Sequence, residues 1–105
     1  MKTKLLQIIN HYGIDNQQRV IEEELFELQK AIIEYECFKL ANEKSGMELF
    51  DLKALKEHIE EEVSDVCVPL QQFCNKYKLD VAKIGNIQWE KVDRQIERIK
   101  NEQNN

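Results

Sequence analysis

The chain has 105 residues, of which 42% are hydrophobic and 33% charged, and a formal net charge of −5. That length allows one domain with a modest core, and the composition is that of a soluble globular protein, not a disordered one. The negative balance argues against bulk attraction to nucleic acid or anionic lipid, and no apolar run is long enough for a membrane span. Three glycines and one proline leave few turn signals, so the long runs of period 3.6 predict an all-α protein. Cys37, Cys67 and Cys74 are an odd count without metal-binding spacing. They read as thiols of a reducing cytoplasm, with Cys67 and Cys74 in a core. The N-terminus has no signal-peptide pattern, so the expected location is cytoplasmic.

Leu5, Leu6, Ile8 and Ile9 supply enough apolar surface for two turns of helix, from Leu5 to His11. The stretch Tyr12-Gly13-Ile14-Asp15-Asn16 breaks that helix. Asp15 followed by Gln18 fits an N-cap with a capping-box partner, and Asn16 is nearly as good a cap. A second helix is predicted from about Asn16 to Leu40 or Ala41. At about 100° per residue, Val20, Ile21, Leu25, Leu28, Ala31, Ile32, Tyr35 and Phe38 fill an arc of roughly 140°. Glu24 falls inside this arc and Glu27 at its margin. Phe26 and Ile33 lie away from it, and two stacked apolar residues predict contact with another helix or a subunit.

Asn42-Glu43-Lys44-Ser45-Gly46 reads as a helix stop and loop. Met47 to Lys56 is expected to form a short helix, with an irregular apolar lid as the alternative. A long helix follows from about Lys56 to Lys76 or Tyr77. Its buried stripe is Ile59, Val63, Val66, Leu70, Phe73, Cys74 and Tyr77. Glu62 lies inside or against that stripe and Asp65 just beyond it. Pro69 has no N–H to return to the Asp65 carbonyl, which predicts a kink beside it. Asp80 is the expected N-cap of a last helix from Val81 to about Asn101. Val81, Gly85, Gln88, Val92, Ile96 and Ile99 trace its inner face, with Trp89 at the side. Lys91, Arg94 and Arg98 form a basic stripe, and the tail Asn101 to Asn105 is expected to fray. The short connections predict a bundle with a four-helix core, residues 1–105 forming a single domain.

Glu24 with Glu27, and Glu62 with Asp65, place two carboxylates three residues apart on each of two helices. That spacing puts each pair on one side of its helix. Carboxylates on a core stripe are costly to bury, and four converging would repel unless a cation lies between them. Oxygen ligands of this kind suit Mg²⁺ or Mn²⁺. Lys91 and Arg94 could clamp phosphates, and Glu23 could orient or deprotonate a water, which together describe metal-assisted attack at phosphorus. The alternative is a solvated acidic face paired with Lys and Arg. A di-iron bundle would need Glu-x-x-His pairs, and neither His11 nor His58 follows a glutamate by three.

Glu23-Glu24-Leu25-Phe26-Glu27 followed by Glu62-Val63-Ser64-Asp65 resembles the Glu-Glu-x-x-Glu and Glu-x-x-Asp signature of the MazG-like all-α nucleoside triphosphate pyrophosphohydrolases. The likeness spans roughly Leu5 to Ile99. The chain's start resembles compact phage and low-GC bacterial members, in which a Tyr-Gly turn precedes a helix opening with glutamines, here Gln17-Gln18. The resemblance implies Mg²⁺ held by Glu24, Glu27, Glu62 and Asp65, with Glu23 beside them. It implies cleavage of a nucleoside triphosphate to monophosphate and pyrophosphate, with Lys91 and Arg94 meeting phosphate. It also implies a homodimer or homotetramer. Where many relatives carry an asparagine before the basic pair, this chain has Trp89, and Asn42 to Leu55 matches nothing specific in the family. A non-catalytic helical interaction module derived from the same scaffold is the competing reading. Its mark would be an acidic cluster satisfied by Lys or Arg.

Overall fold

A computed structural model describes residues 2–104. Among them the chain forms four helices and no strand: α1 (Lys2–Tyr12), α2 (Ile14–Ser45), α3 (Leu52–Lys76) and α4 (Val81–Gln103). The first three pack against one another, with α3 meeting both α1 and α2. α4 differs. None of its residues is buried, and only Ile84 and Gly85 near its start are even half-buried. The expected four-helix core is thus, within one chain, a three-helix body with a fourth helix standing off it. The radius of gyration is 18.6 Å, where a compact domain of this length would have about 13 Å.

The turns explain the helix ends. Gly13 has φ of +87°, a conformation that L side chains rarely adopt. Its N–H donates to the Ile9 carbonyl to close α1, and its own carbonyl accepts from Gln17 N–H to open α2. The glycine therefore takes the capping position expected of Asp15 or Asn16, and no side chain caps this end. Asp15 lies instead in the first turn of α2, where a negative charge meets the positive end of the helix dipole. α2 also runs past Ala41 to Ser45, stopping at Gly46 in the left-handed conformation.

The segment after Gly46 is a short loop, not the expected helix. The Asn42 amide holds it in place, donating to the Phe50 carbonyl and accepting from the Phe50 N–H, each at 3.0 Å. Phe50 stacks on Phe38 with ring centroids 4.3 Å apart. α3 then begins at Leu52, four residues earlier than Lys56, because Asp51 accepts from Ala54 N–H at 3.1 Å and so supplies the cap. α3 continues through Pro69, which is buried. It ends where Leu79 N–H returns to the Cys74 carbonyl and Lys78 N–H to that of Asn75. This is a Schellman closure in which Lys78, at φ of 54°, occupies the position that usually falls to glycine. Asp80 caps α4 as expected, accepting from Lys83 N–H at 3.1 Å. The helix persists to Gln103, so residues 101 to 103 of the expected frayed tail are helical; Asn105 lies outside the described residues.

The buried apolar residues are Leu5, Ile9 and Ala31, and two glutamines are buried with them. Gln17 donates through Nε2 to Oε1 of Gln72 at 2.7 Å, and its own Oε1 accepts from Asn16 Nδ2. Lys76 adds a 2.6 Å bond to Asn10 on α1. The apolar stripe expected on α3 is only partly covered. Val66 and Phe73 turn inward, whereas Val63, Leu70 and Tyr77 are exposed. Pro69 and Gln72 are buried in their place, so the packed face is rotated towards the Glu62 and Asp65 side of the helix. Cys67 and Cys74 are half-buried and Cys37 is exposed.

The amide pair carries a stability consequence. Gln72→Leu leaves the Gln17 amide buried without its partner, at a cost of roughly 1–3 kcal/mol. In the double variant Gln17→Leu/Gln72→Leu most of that loss returns, because neither polar group remains. Urea unfolding of the two variants beside the parent chain measures the difference.

Candidate functional site: an acidic cluster on the α2–α3 hairpin

α2 and α3 run antiparallel, since Gln17 near the start of α2 meets Gln72 near the end of α3. Seven residues inward on each helix, the same register sets Glu24 opposite Asp65. Glu62 lies one turn further along α3. Carboxylate oxygens of Glu24, Glu62 and Asp65 come within 4.8 Å of one another. Three of the four expected ligands are therefore gathered in one place. Glu27 is exposed and falls outside this group, although its charge acts on Glu24. Glu23 is also exposed, and both line a shallow surface groove with Arg19 and Phe26.

The electrostatics are one-sided. Glu24 is half-buried, and its carboxyl is pushed above the usual value of 4.5, first by burial and then by Asp65, Glu62, Glu27 and Glu23. The Glu62 side chain is only 12% exposed, and its Oε2 is buried with no hydrogen-bond partner. Its other oxygen stands 3.8 Å from Nε2 of His58, one turn earlier on α3. His58 is a neighbour that sequence reasoning missed; the signal was its i, i+4 spacing to Glu62. Among the described residues no Lys or Arg forms an ion pair with the cluster. Lys91 and Arg94 are exposed on α4, away from any such contact.

Three carboxylates on two rigid helices, one with an orphaned buried oxygen, form a donor set that fits a hard divalent cation. The same arrangement offers no thiolate or imidazole pair for softer metals. Compared with known proteins, the chain matches no family model, no curated protein and no solved structure. What the cluster does must be read from its own chemistry.

The raised Glu24 value has a definite sign in the cation-free protein. A carboxyl that titrates higher when folded than when unfolded favours the folded state in acid, and that contribution disappears as pH rises through the folded value. In chelator, Glu24→Gln should therefore melt at a higher temperature than the parent at pH 7. The gap should close as pH is lowered through 4.5, the group's ordinary value. Melting curves across pH 4–8 provide the check, and a lower melting temperature for the variant at neutral pH would contradict this account.

Proposed function

We propose that the chain is a divalent-cation-dependent hydrolase of nucleoside triphosphates, releasing a nucleoside monophosphate and pyrophosphate. The observation that carries the reading is the convergence of Glu24, Glu62 and Asp65 with no Lys or Arg partner among the described residues. The order of the acidic motifs, which resembles that of the MazG-like pyrophosphohydrolases, supplies the substrate class. Glu24, Glu62 and Asp65 would hold the cation, and Glu27, at the rim, would reach it or a second one after a side-chain rotation. When bound, Mg²⁺ supplies positive charge for phosphate oxygens and makes a nearby water more acidic. Glu23 or Glu27 would orient the attacking water and accept its proton at a carboxylate oxygen. The water oxygen bonds to the α phosphorus while the bond to the bridging oxygen of pyrophosphate breaks. Lys91 Nζ and the Arg94 guanidinium would bind the departing pyrophosphate. Half-burial of Glu24 and Glu62 lowers the local dielectric, which strengthens each of these interactions.

The competing non-catalytic module calls for a cluster neutralised by Lys or Arg. Among the described residues His58, at 3.8 Å, is the sole basic neighbour within ion-pair distance of it, which favours a cation from solution.

Two measurements separate these readings. Millimolar Mg²⁺ should raise the melting temperature relative to chelator, because an ion that binds only the folded state stabilises it by mass action. At a hundred times the dissociation constant this amounts to about 2.7 kcal/mol, and Asp65→Asn should remove most of it. Coincident melting curves for the parent chain with and without cation would rule out the cation site.

For activity, a panel of standard and modified ribo- and deoxynucleoside triphosphates is incubated with Mg²⁺ or Mn²⁺ and the products are separated by chromatography. Monophosphate and pyrophosphate are expected from at least one member, with turnover reduced by at least about a hundredfold in Glu62→Gln. Diphosphate with inorganic phosphate would mean a different bond is cut. No turnover across the panel would favour the non-catalytic module.

A further inference from the structure

His58, Glu62 and Asp65 follow one another on α3 at spacings of four and three residues. At about 100° per residue they share an arc of roughly 60°, so one side of the helix carries an imidazole and two carboxylates. Side chains of a helix lean towards its N-terminus, which carries the Glu62 carboxylate back over the turn that holds His58. Glu62 and Asp65 join Glu24 in the acidic cluster. The imidazole beside them has no part in the mechanism above.

The contact between His58 and Glu62 is too long for a hydrogen bond. Nε2 stands 3.8 Å from Oε1, where an N–H···O bond would close to about 2.9 Å. Two ligands of one cation, each about 2.0–2.3 Å from it, stand about 3 to 4.5 Å apart. The gap therefore matches the separation of two groups that share an ion. The His58 side chain is 45% exposed, so its ring turns without displacing packed neighbours. The other oxygen of Glu62 is buried with no hydrogen-bond partner, so this carboxylate lacks charge compensation on both sides.

A nitrogen ligand changes which cation such a site selects. Carboxylates and water suit Mg²⁺, which binds oxygen and keeps several waters. Imidazole adds little for Mg²⁺ and much for the first-row transition ions. One imidazole among carboxylates leaves the site hard enough for Mg²⁺ to enter through oxygen alone, while a transition ion gains a further bond.

We propose that His58 is a nitrogen ligand of the cation held at Glu62 and sets its identity, so that the site takes a first-row transition dication in preference to Mg²⁺. The inference rests on the cation site of the hydrolase reading and not on its triphosphate chemistry. The imidazole Nε2 supplies a lone pair to the ion, and no bond of a substrate is made or broken by it.

The test uses Mn²⁺ as the probe. Pulsed electron paramagnetic resonance of the Mn²⁺-loaded chain should show modulation from a directly bound nitrogen, at frequencies that change when histidine alone is ¹⁵N-labelled. The chain has two histidines, so the measurement is repeated in His11→Gln, where His58 is the one that remains. The nitrogen signal should persist there and vanish in His58→Gln. Titration calorimetry at pH 8 gives a second readout. His58→Gln should weaken Mn²⁺ binding at least about tenfold and leave Mg²⁺ binding within about threefold of the parent. Bound Mn²⁺ without histidine nitrogen in the parent chain would overturn the assignment of His58 and leave the cation site standing. So would an equal loss of Mg²⁺ and Mn²⁺ affinity in His58→Gln, the mark of a residue that only shapes the site. If the parent chain binds no Mn²⁺ at all, the cation site itself falls and this inference with it.

Discussion

The buried amide bond between Gln17 and Gln72 fixes the relation between the two long helices. Apolar contacts tolerate sliding of one helix along another. A buried amide pair does not, because a shift of one residue would leave both polar groups unpaired at a cost of about 1–3 kcal/mol each. The bond lies at one end of the antiparallel hairpin, and the Asn42 clasp on Phe50 lies at the other. Between them the register has one solution. Glu24 stands seven residues after Gln17, and Asp65 seven residues before Gln72, so two turns on each helix carry the carboxylates to face each other. The acidic cluster is thus a consequence of where the glutamines meet.

That register holds carboxylates together against their own repulsion. The raised Glu24 value and the unpartnered Glu62 Oε2 are two signs of the same strain. Neither would persist at the mobile tip of a loop, where side chains could swing apart. They persist here because each side chain belongs to a helix anchored on both sides.

Much of the fold was legible wherever one residue and its near neighbours decide the outcome. Asp80 caps α4 because capping needs only an acceptor three residues before a free N–H. Glu24, Glu62 and Asp65 met because the helical period put Glu24 and Glu62 on the half-buried sides of their helices and Asp65, itself exposed, at the margin of that side. The rest depended on partners that a pattern does not display. Gly13 displaced Asp15 as the cap because the chain must reverse sharply between two helices, and only the position of α1 imposes that reversal. Met47, Leu49 and Phe50 carry apolar side chains without being helical, because Asn42 binds the backbone of Phe50 and Asp51 starts α3. Gln17 sits in the middle of the α2 apolar arc, beside Glu24 in angle. A polar residue at such a position signals a buried partner, and Gln72 was the one to find.

α4 marks the limit of reading one chain alone. Its apolar positions were legible as an inner face, yet within the chain only Gly85 on that face is even half-covered, and none of the helix's residues is buried. A hydrophobic period records that a face will be covered and does not record by whom. The same holds for the basic edge, whose spacing on α4 suits phosphate or carboxylate equally well. With Lys91 and Arg94 exposed and the acidic cluster short of positive charge, the two halves of the chain's chemistry lie apart. Only a contact beyond the single chain, or a movement of α4, brings them together.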